Sequence, residues 1–181
     1  MRPLRFHSHM IGIFLFLILL IITAVAQEFL VKELEPLQPF VQKTRKGEFV
    51  NSTAEAPKYD VSRCERALNG SAIWVLHSMN NGEYGGESII FWDKNKQSVV
   101  YCYFTTAGFF TNGTMTFKND TIISHEYVTG NTNGITEVQS ISIILPDGRL
   151  HGKSQYLQNC TWTDGHEIIY IEDLRAEVIF K

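Results

Sequence analysis

The chain has 181 residues, 12% of them aromatic and 19% charged, with a formal net charge of −3, a length that one domain accommodates. Removing residues 1–26 would take away two arginines and no acids, giving −3 − 2 = −5. A mildly acidic domain is a poor electrostatic partner for nucleic acid or anionic lipid, and the basic cluster Lys43-Thr44-Arg45-Lys46 reads as a solvated turn.

Residues 1–26 read as an export signal. Arg2 and Arg5 give the positive start, Ile11 to Val25 the apolar run, and Ala24-Val25-Ala26 the small residues of a cleavage site. The alternative is an uncleaved membrane anchor, because the 17 residues from Met10 to Ala26 reach the lower end of the spanning range. The expected location is secreted, periplasmic or extracellular, with membrane contact only through an uncleaved signal. The expected organisation is a signal peptide over 1–26, a helical or extended lead-in over 27–46 and a β-barrel domain over 47–181.

Export places the cysteines in an oxidising compartment. Cys64, Cys102 and Cys160 allow one disulfide in any of three pairings, or none if they are small apolar core residues. Without a CxxC or Cys/His cluster, no metal site is predicted. Five Asn-x-Ser/Thr sequons, at Asn51, Asn69, Asn112, Asn119 and Asn159, become glycan acceptors if the chain passes through a eukaryotic secretory route.

In chain order, Glu28 to Val41 is the one helical candidate, with Phe29, Leu30, Glu33, Leu34 and Leu37 at helical spacing. Pro36 and Pro39 shorten it to a brief helix or two turns. A first strand begins in Gly47–Val50, and Asn51–Tyr59 reads as a loop. Strands then follow near 60–68, 71–80, 83–93, 97–106, 109–118, 121–129, 135–145, 149–158 and 161–172. Asn69-Gly70, Asn81-Gly82, Asn119-Asp120, Asn133-Gly134 and Pro146-Asp147-Gly148 punctuate them with residues that tolerate positive φ. Hairpins in succession without helices predict an all-β antiparallel up-and-down meander of about ten strands, closed into a barrel.

Period-two alternation assigns faces. The Asn112 sequon needs the outside, so Phe109, Thr111, Gly113, Met115 and Phe117 point inward. In the next-to-last strand Arg149, His151, Lys153 and Gln155 face water, leaving Leu150, Gly152, Ser154 and Tyr156 inside. Strand 97–104 is apolar on both faces and is expected to be more covered than its neighbours. Gly85-Gly86 lacks the helix and Lys-Ser/Thr of a phosphate loop and reads as a bulge or bend.

A short helix, a glycine-containing first strand and a long meander together resemble the calycin-like barrels, among them lipocalins, fatty-acid-binding proteins and nitrobindin-type haem barrels. Val61-Ser62-Arg63, Ala67-Leu68-Asn69-Gly70, Gly82-Glu83-Tyr84-Gly85-Gly86-Glu87 and Phe104-Thr105-Thr106-Ala107-Gly108 more closely resemble a group of exported barrel-like domains that bring no established activity with them. Many such barrels begin with a closely spaced Gly and Trp that plug one end. Gln42 and Arg45 stand in that region here.

The fold implies an exported barrel that binds a small apolar or amphipathic molecule, with Tyr101, Tyr103, Phe109, Phe117, Tyr127 and Tyr170 as ligand-contacting candidates. A second reading is an enzyme of isomerase, cyclase or hydrolase type, with His125 or His166 as general base. His125 with Tyr127, and His166 with Tyr170, would then meet inside the barrel, joined by His77. The adjacent pairs His125-Glu126 and His166-Glu167 cannot act as dyads, since neighbours on a strand face opposite ways. Arg63 and Glu65 are expected to pair on the surface, while Arg66 is a candidate for a cavity arginine that holds a carboxylate. No cofactor is predicted, haem being the one option the resemblance leaves. A third reading is a packed barrel acting as a secreted interaction protein.

Overall fold

The computed structural model describes residues 29–130 and 133–181, so the export signal predicted over 1–26 lies outside the described residues. Ten antiparallel strands follow in chain order: β1 (Lys43–Phe49), β2 (Tyr59–Ala67), β3 (Ala72–Met79), β4 (Tyr84–Asp93), β5 (Ser98–Thr105), β6 (Phe110–Lys118), β7 (Thr121–Thr129), β8 (Ile135–Ile144), β9 (Leu150–Gln158) and β10 (Thr161–Glu172). Each pairs with its sequence neighbours, and β1 pairs with β10 to close the barrel. From β2 to β10 every strand begins and ends within one residue of its expected position. This is the all-β meander barrel the turn spacing predicts, and it is consistent with a calycin-like fold.

β1 begins at Lys43, four residues ahead of Gly47. The cluster Lys43-Thr44-Arg45-Lys46 is therefore a strand and not a solvated turn, and Arg45 is 6% exposed. Alternation across the barrel wall forces this, because Arg45 shares the inward face with Gly47 and Phe49.

The helical candidate is a 3-10 helix over Lys32–Phe40 containing Pro36 and Pro39. At three residues per turn, Val31, Leu34, Leu37 and Phe40 stack on one side. Leu34 and Leu37 are buried against Ile73, Ile90, Val99 and Tyr101, and this packing plugs one end of the barrel. Phe29, placed on the apolar stripe by α-helical spacing, is exposed instead. Arg45 secures the plug: its guanidinium donates to the carbonyls of Pro39 (3.2 Å) and Phe40 (3.4 Å) and lies 5.3 Å from the Phe40 ring. A buried cation thus caps the C-terminal carbonyls of the helix. Burial pulls the Arg45 pKa down, while Cys64 and Glu172 oppose that shift.

Gly85 and Gly86 form no bulge, since β4 keeps unbroken register with both β3 and β5. The bulges lie elsewhere, at Ile135/Glu137 in β8 and Asp164/Glu167 in β10. What Gly86 provides is space, because a Cβ there would sit 2.5 Å from Cε2 of Tyr103 and collide with the Phe104 carbonyl. Gly113 makes the same room for Tyr101, whose hydroxyl would lie 2.8 Å from an added Cβ. β5 is covered as expected, with Val99, Val100 and Tyr101 all buried.

The three cysteines are unpaired. Cys64 lies inside near the plug, Cys102 is partly exposed and Cys160 is exposed in the last turn, where Asn159 and Cys160 both adopt positive φ. Burial pushes the Cys64 thiol up to about 12, so it stays an uncharged core group. All five sequon asparagines are exposed.

Candidate functional site: the barrel interior

The inward positions change character along the strands. Near the plug they are Cys64, Ile73, Ile90, Met115 and Ile122, lining a cavity lobe of about 310 Å³. Towards the opposite end they become Asp60, His77, Tyr84, Tyr103, Tyr156 and His166, lining a larger lobe of about 760 Å³. Tyr101, Glu126 and Tyr170 border both lobes.

Two hydrogen-bonded groups stand in the larger lobe. Asp60, 2% exposed, holds Nδ1 of His77 at 2.8 Å and accepts from the Tyr170 hydroxyl at 2.8 Å. A carboxylate can only accept, so Nδ1 donates to Asp60, and Nε2 of the same ring meets the Tyr103 hydroxyl 2.6 Å away. The Tyr84 and Tyr103 hydroxyl oxygens are 3.0 Å apart and extend the chain. Burial raises the pKa of Tyr103, Tyr84 and Tyr170, with Asp60 adding to the rise at Tyr170. These phenols are neutral donors rather than activated nucleophiles.

Glu126 is the second focus. Its Oε2 accepts from the Tyr101 hydroxyl at 3.0 Å. Burial raises the carboxyl pKa, against the opposing effects of Thr111, Tyr101 and His77. Thr111 faces it from β6, wholly buried, with no partner for its hydroxyl that meets hydrogen-bond geometry.

His166 lies at the β10 bulge, on the inward alternation it shares with Ile168 and Tyr170. Gly165 and His166 together oppose Ser154, whose hydroxyl accepts from the His166 backbone N–H at 3.0 Å and reaches the His166 carbonyl at 3.3 Å. One hydroxyl thereby satisfies backbone groups that the extra residue leaves unpaired. Tyr156 sits 2.6 Å from His166 Nδ1. Although the ring borders open cavity, burial lowers its pKa, the Asp60 charge works the other way, and His77 adds to the lowering.

Of the six ligand-contacting candidates, Tyr101, Tyr103, Phe109 and Tyr170 line the cavity. Phe117 packs against the core beside the plug. Tyr127 is on the outer wall, exposed, with the His125 ring 4.8 Å away. His125 shares that outer face and meets Glu137 at 2.6 Å, so it cannot act inside the barrel. Cross-strand register explains the reversal. The two-residue turn Asn119-Asp120 sets Tyr127 opposite Asn112 and Glu126 opposite Gly113, so an outward sequon requires an outward Tyr127 and an inward Glu126. That count was available in the sequence. Tyr156 was already on the inward alternation of its strand, whereas Asp60 and Tyr84 carried no comparable local signal.

Arg66 does not enter the cavity and donates to the Phe29 carbonyl at 3.3 Å. The arginine inside is Arg45. Arg63 and Glu65 pair at 2.8 Å on the surface as expected, and His151 faces outward to Glu167 at 2.8 Å. Among the described residues, no group of three or more His, Cys, Asp or Glu side chains is placed to hold a metal ion. Among them, too, no helix is long and apolar enough to cross a membrane. No family model and no curated protein matches the chain in sequence.

Proposed function

We propose that this protein is an exported binding module that takes a small amphipathic molecule into its barrel. The observation that carries the reading is an open interior graded from apolar to polar. The volume of each lobe falls in the range of ligand sites, about 300–1,000 Å³. A packed interaction barrel would fill that space with side chains. The apolar lobe suits the body of such a molecule, and the hydroxyl, imidazole and carboxyl groups of the larger lobe suit its polar end.

The test is native mass spectrometry of protein purified from its source, together with fluorescence of the uncharged probe N-phenyl-1-naphthylamine. A retained small molecule, or probe emission that Tyr101→Trp suppresses by filling the junction of the lobes, supports the reading. Absence of both refutes it.

A second reading, proton-transfer catalysis, is favoured by the Asp60–His77–Tyr103 chain. His77 would then be the base in place of His125, and His77→Gln would abolish turnover while leaving probe binding intact. For haem, His166 is the inward histidine with a ring nitrogen to spare, and a Soret band in the purified protein would show it.

A further inference from the structure

The ionisable groups of the larger lobe are two carboxyls, two imidazoles and phenols, with no lysine or arginine among the described lining residues. The one arginine of the smaller lobe has its guanidinium tied to the carbonyls of Pro39 and Phe40. The two carboxyls differ. Asp60 has both oxygens engaged, one by His77 and one by Tyr170. Glu126 takes part in no ion pair among the described residues, and its one hydrogen bond of good geometry comes from the Tyr101 hydroxyl on Oε2. The Thr111 hydroxyl beside it is wholly buried and lines neither lobe. Burying a carboxylate away from any cation is unfavourable. One ligand group would relieve it: a positively charged nitrogen with several N–H donors.

We infer that the barrel binds a protonated amine carrying an apolar body, with the ammonium group at Glu126 and the body in the lobe beside the plug. The inference rests on the binding reading above and specifies its ligand class. Position supports it, because Glu126 stands at the border of the two lobes, where one molecule can reach both. The apolar walls Ile73, Ile90, Met115 and Ile122 lie on one side of it and tyrosine rings on the other, and aromatic rings attract cations through their faces. An anionic ligand meets the opposite situation: it would approach two carboxyls and find no free cation among the described lining residues.

The experiment is calorimetric titration of the full barrel with three indoles that share a two-carbon side chain and end it in a cationic, a neutral and an anionic group: tryptamine, tryptophol and indole-3-propionate. Tryptamine is expected to bind at least about tenfold more tightly than tryptophol, as a charge-assisted hydrogen bond at a buried carboxylate implies, with indole-3-propionate weakest. Glu126→Gln, which keeps the shape of the side chain, should erase the tryptamine advantage and leave tryptophol unchanged. Equal binding of the three indoles, or an advantage that survives Glu126→Gln, would overturn the proposal. If the variant does not fold, the charge series in the unmodified protein decides. Should no indole bind while N-phenyl-1-naphthylamine does, the amine class falls and the binding reading stands. Exclusion of every probe removes both.

Discussion

At the plugged end the inward residues of β3, β4 and β7 are Ile73, Ile90 and Ile122, and they close on Leu34 and Leu37 of the 3-10 helix. Further along the same three strands the inward residues are His77, Tyr84 and Glu126, bordering open space. Strand geometry is the same in both halves. Only the residues on the inward alternation differ, and they divide the barrel into a part that stabilises it and a part that costs stability. Apolar burial contributes roughly 25 cal/mol per Å², whereas a buried polar group gains only about 1 kcal/mol when hydrogen-bonded and costs about 1–3 kcal/mol when left unsatisfied. A chain that keeps a polar open half beside a packed one is arranged as functional sites commonly are, at some expense to stability.

The largest effect should come from the plug. Leu34 is fully buried, and Leu34→Ala is expected to cost about 2–5 kcal/mol in urea unfolding. A loss well under 1 kcal/mol would mean that the helix is not part of the cooperative fold. Arg45→Met comes next. It keeps much of the volume but leaves the Pro39 and Phe40 carbonyls without their donor, for an expected loss of about 1–3 kcal/mol. An unchanged or raised stability would show that removing the buried charge outweighs the lost cap.

In the polar half the effects are smaller and depend on pH. Burial holds the Glu126 carboxyl above its ordinary value, so the folded protein keeps that proton to higher pH than the unfolded chain. Below the ordinary carboxyl value the group is protonated in both states and contributes nothing. As pH rises from there through the raised value, stability is lost. Without ligand, Glu126→Gln and the parent should melt together at the acid end, and the variant should melt higher near neutrality. The other titratable groups near Glu126 are Tyr101, Tyr103, Tyr84 and His77, all unchanged in the variant. His166 works in the opposite sense. Its lowered value costs stability as pH falls below the ordinary histidine range, and the comparison cancels this because both proteins share it. The smallest effect belongs to the outer wall, where His125→Ala should change stability by less than about 0.5 kcal/mol and leave probe binding intact.

The sequence by itself determined the strands, their order and most of their faces. Turn residues with positive φ fix where each hairpin reverses, and alternation fixes which side chains share a face. Both are local properties, which is why the outward Asn112 and inward Thr111 were legible from residues 109–117 alone. The 3-10 helix was half legible: its prolines pointed to a short element, but the three-residue spacing of Val31, Leu34, Leu37 and Phe40 was hidden by the assumption of an α-helical period. The direction of Arg45 followed from where β1 begins, and no turn marks that point. Only the tertiary structure decided the site. Asp60 and Tyr170 are 110 positions apart, and their meeting depends on β1 closing against β10. His166 shares the inward alternation of Ile168 and Tyr170, but the bulge that sets it and Gly165 opposite Ser154 appears only in the fold. Closure and bulges are properties of the whole barrel wall, so no stretch of sequence carries them alone.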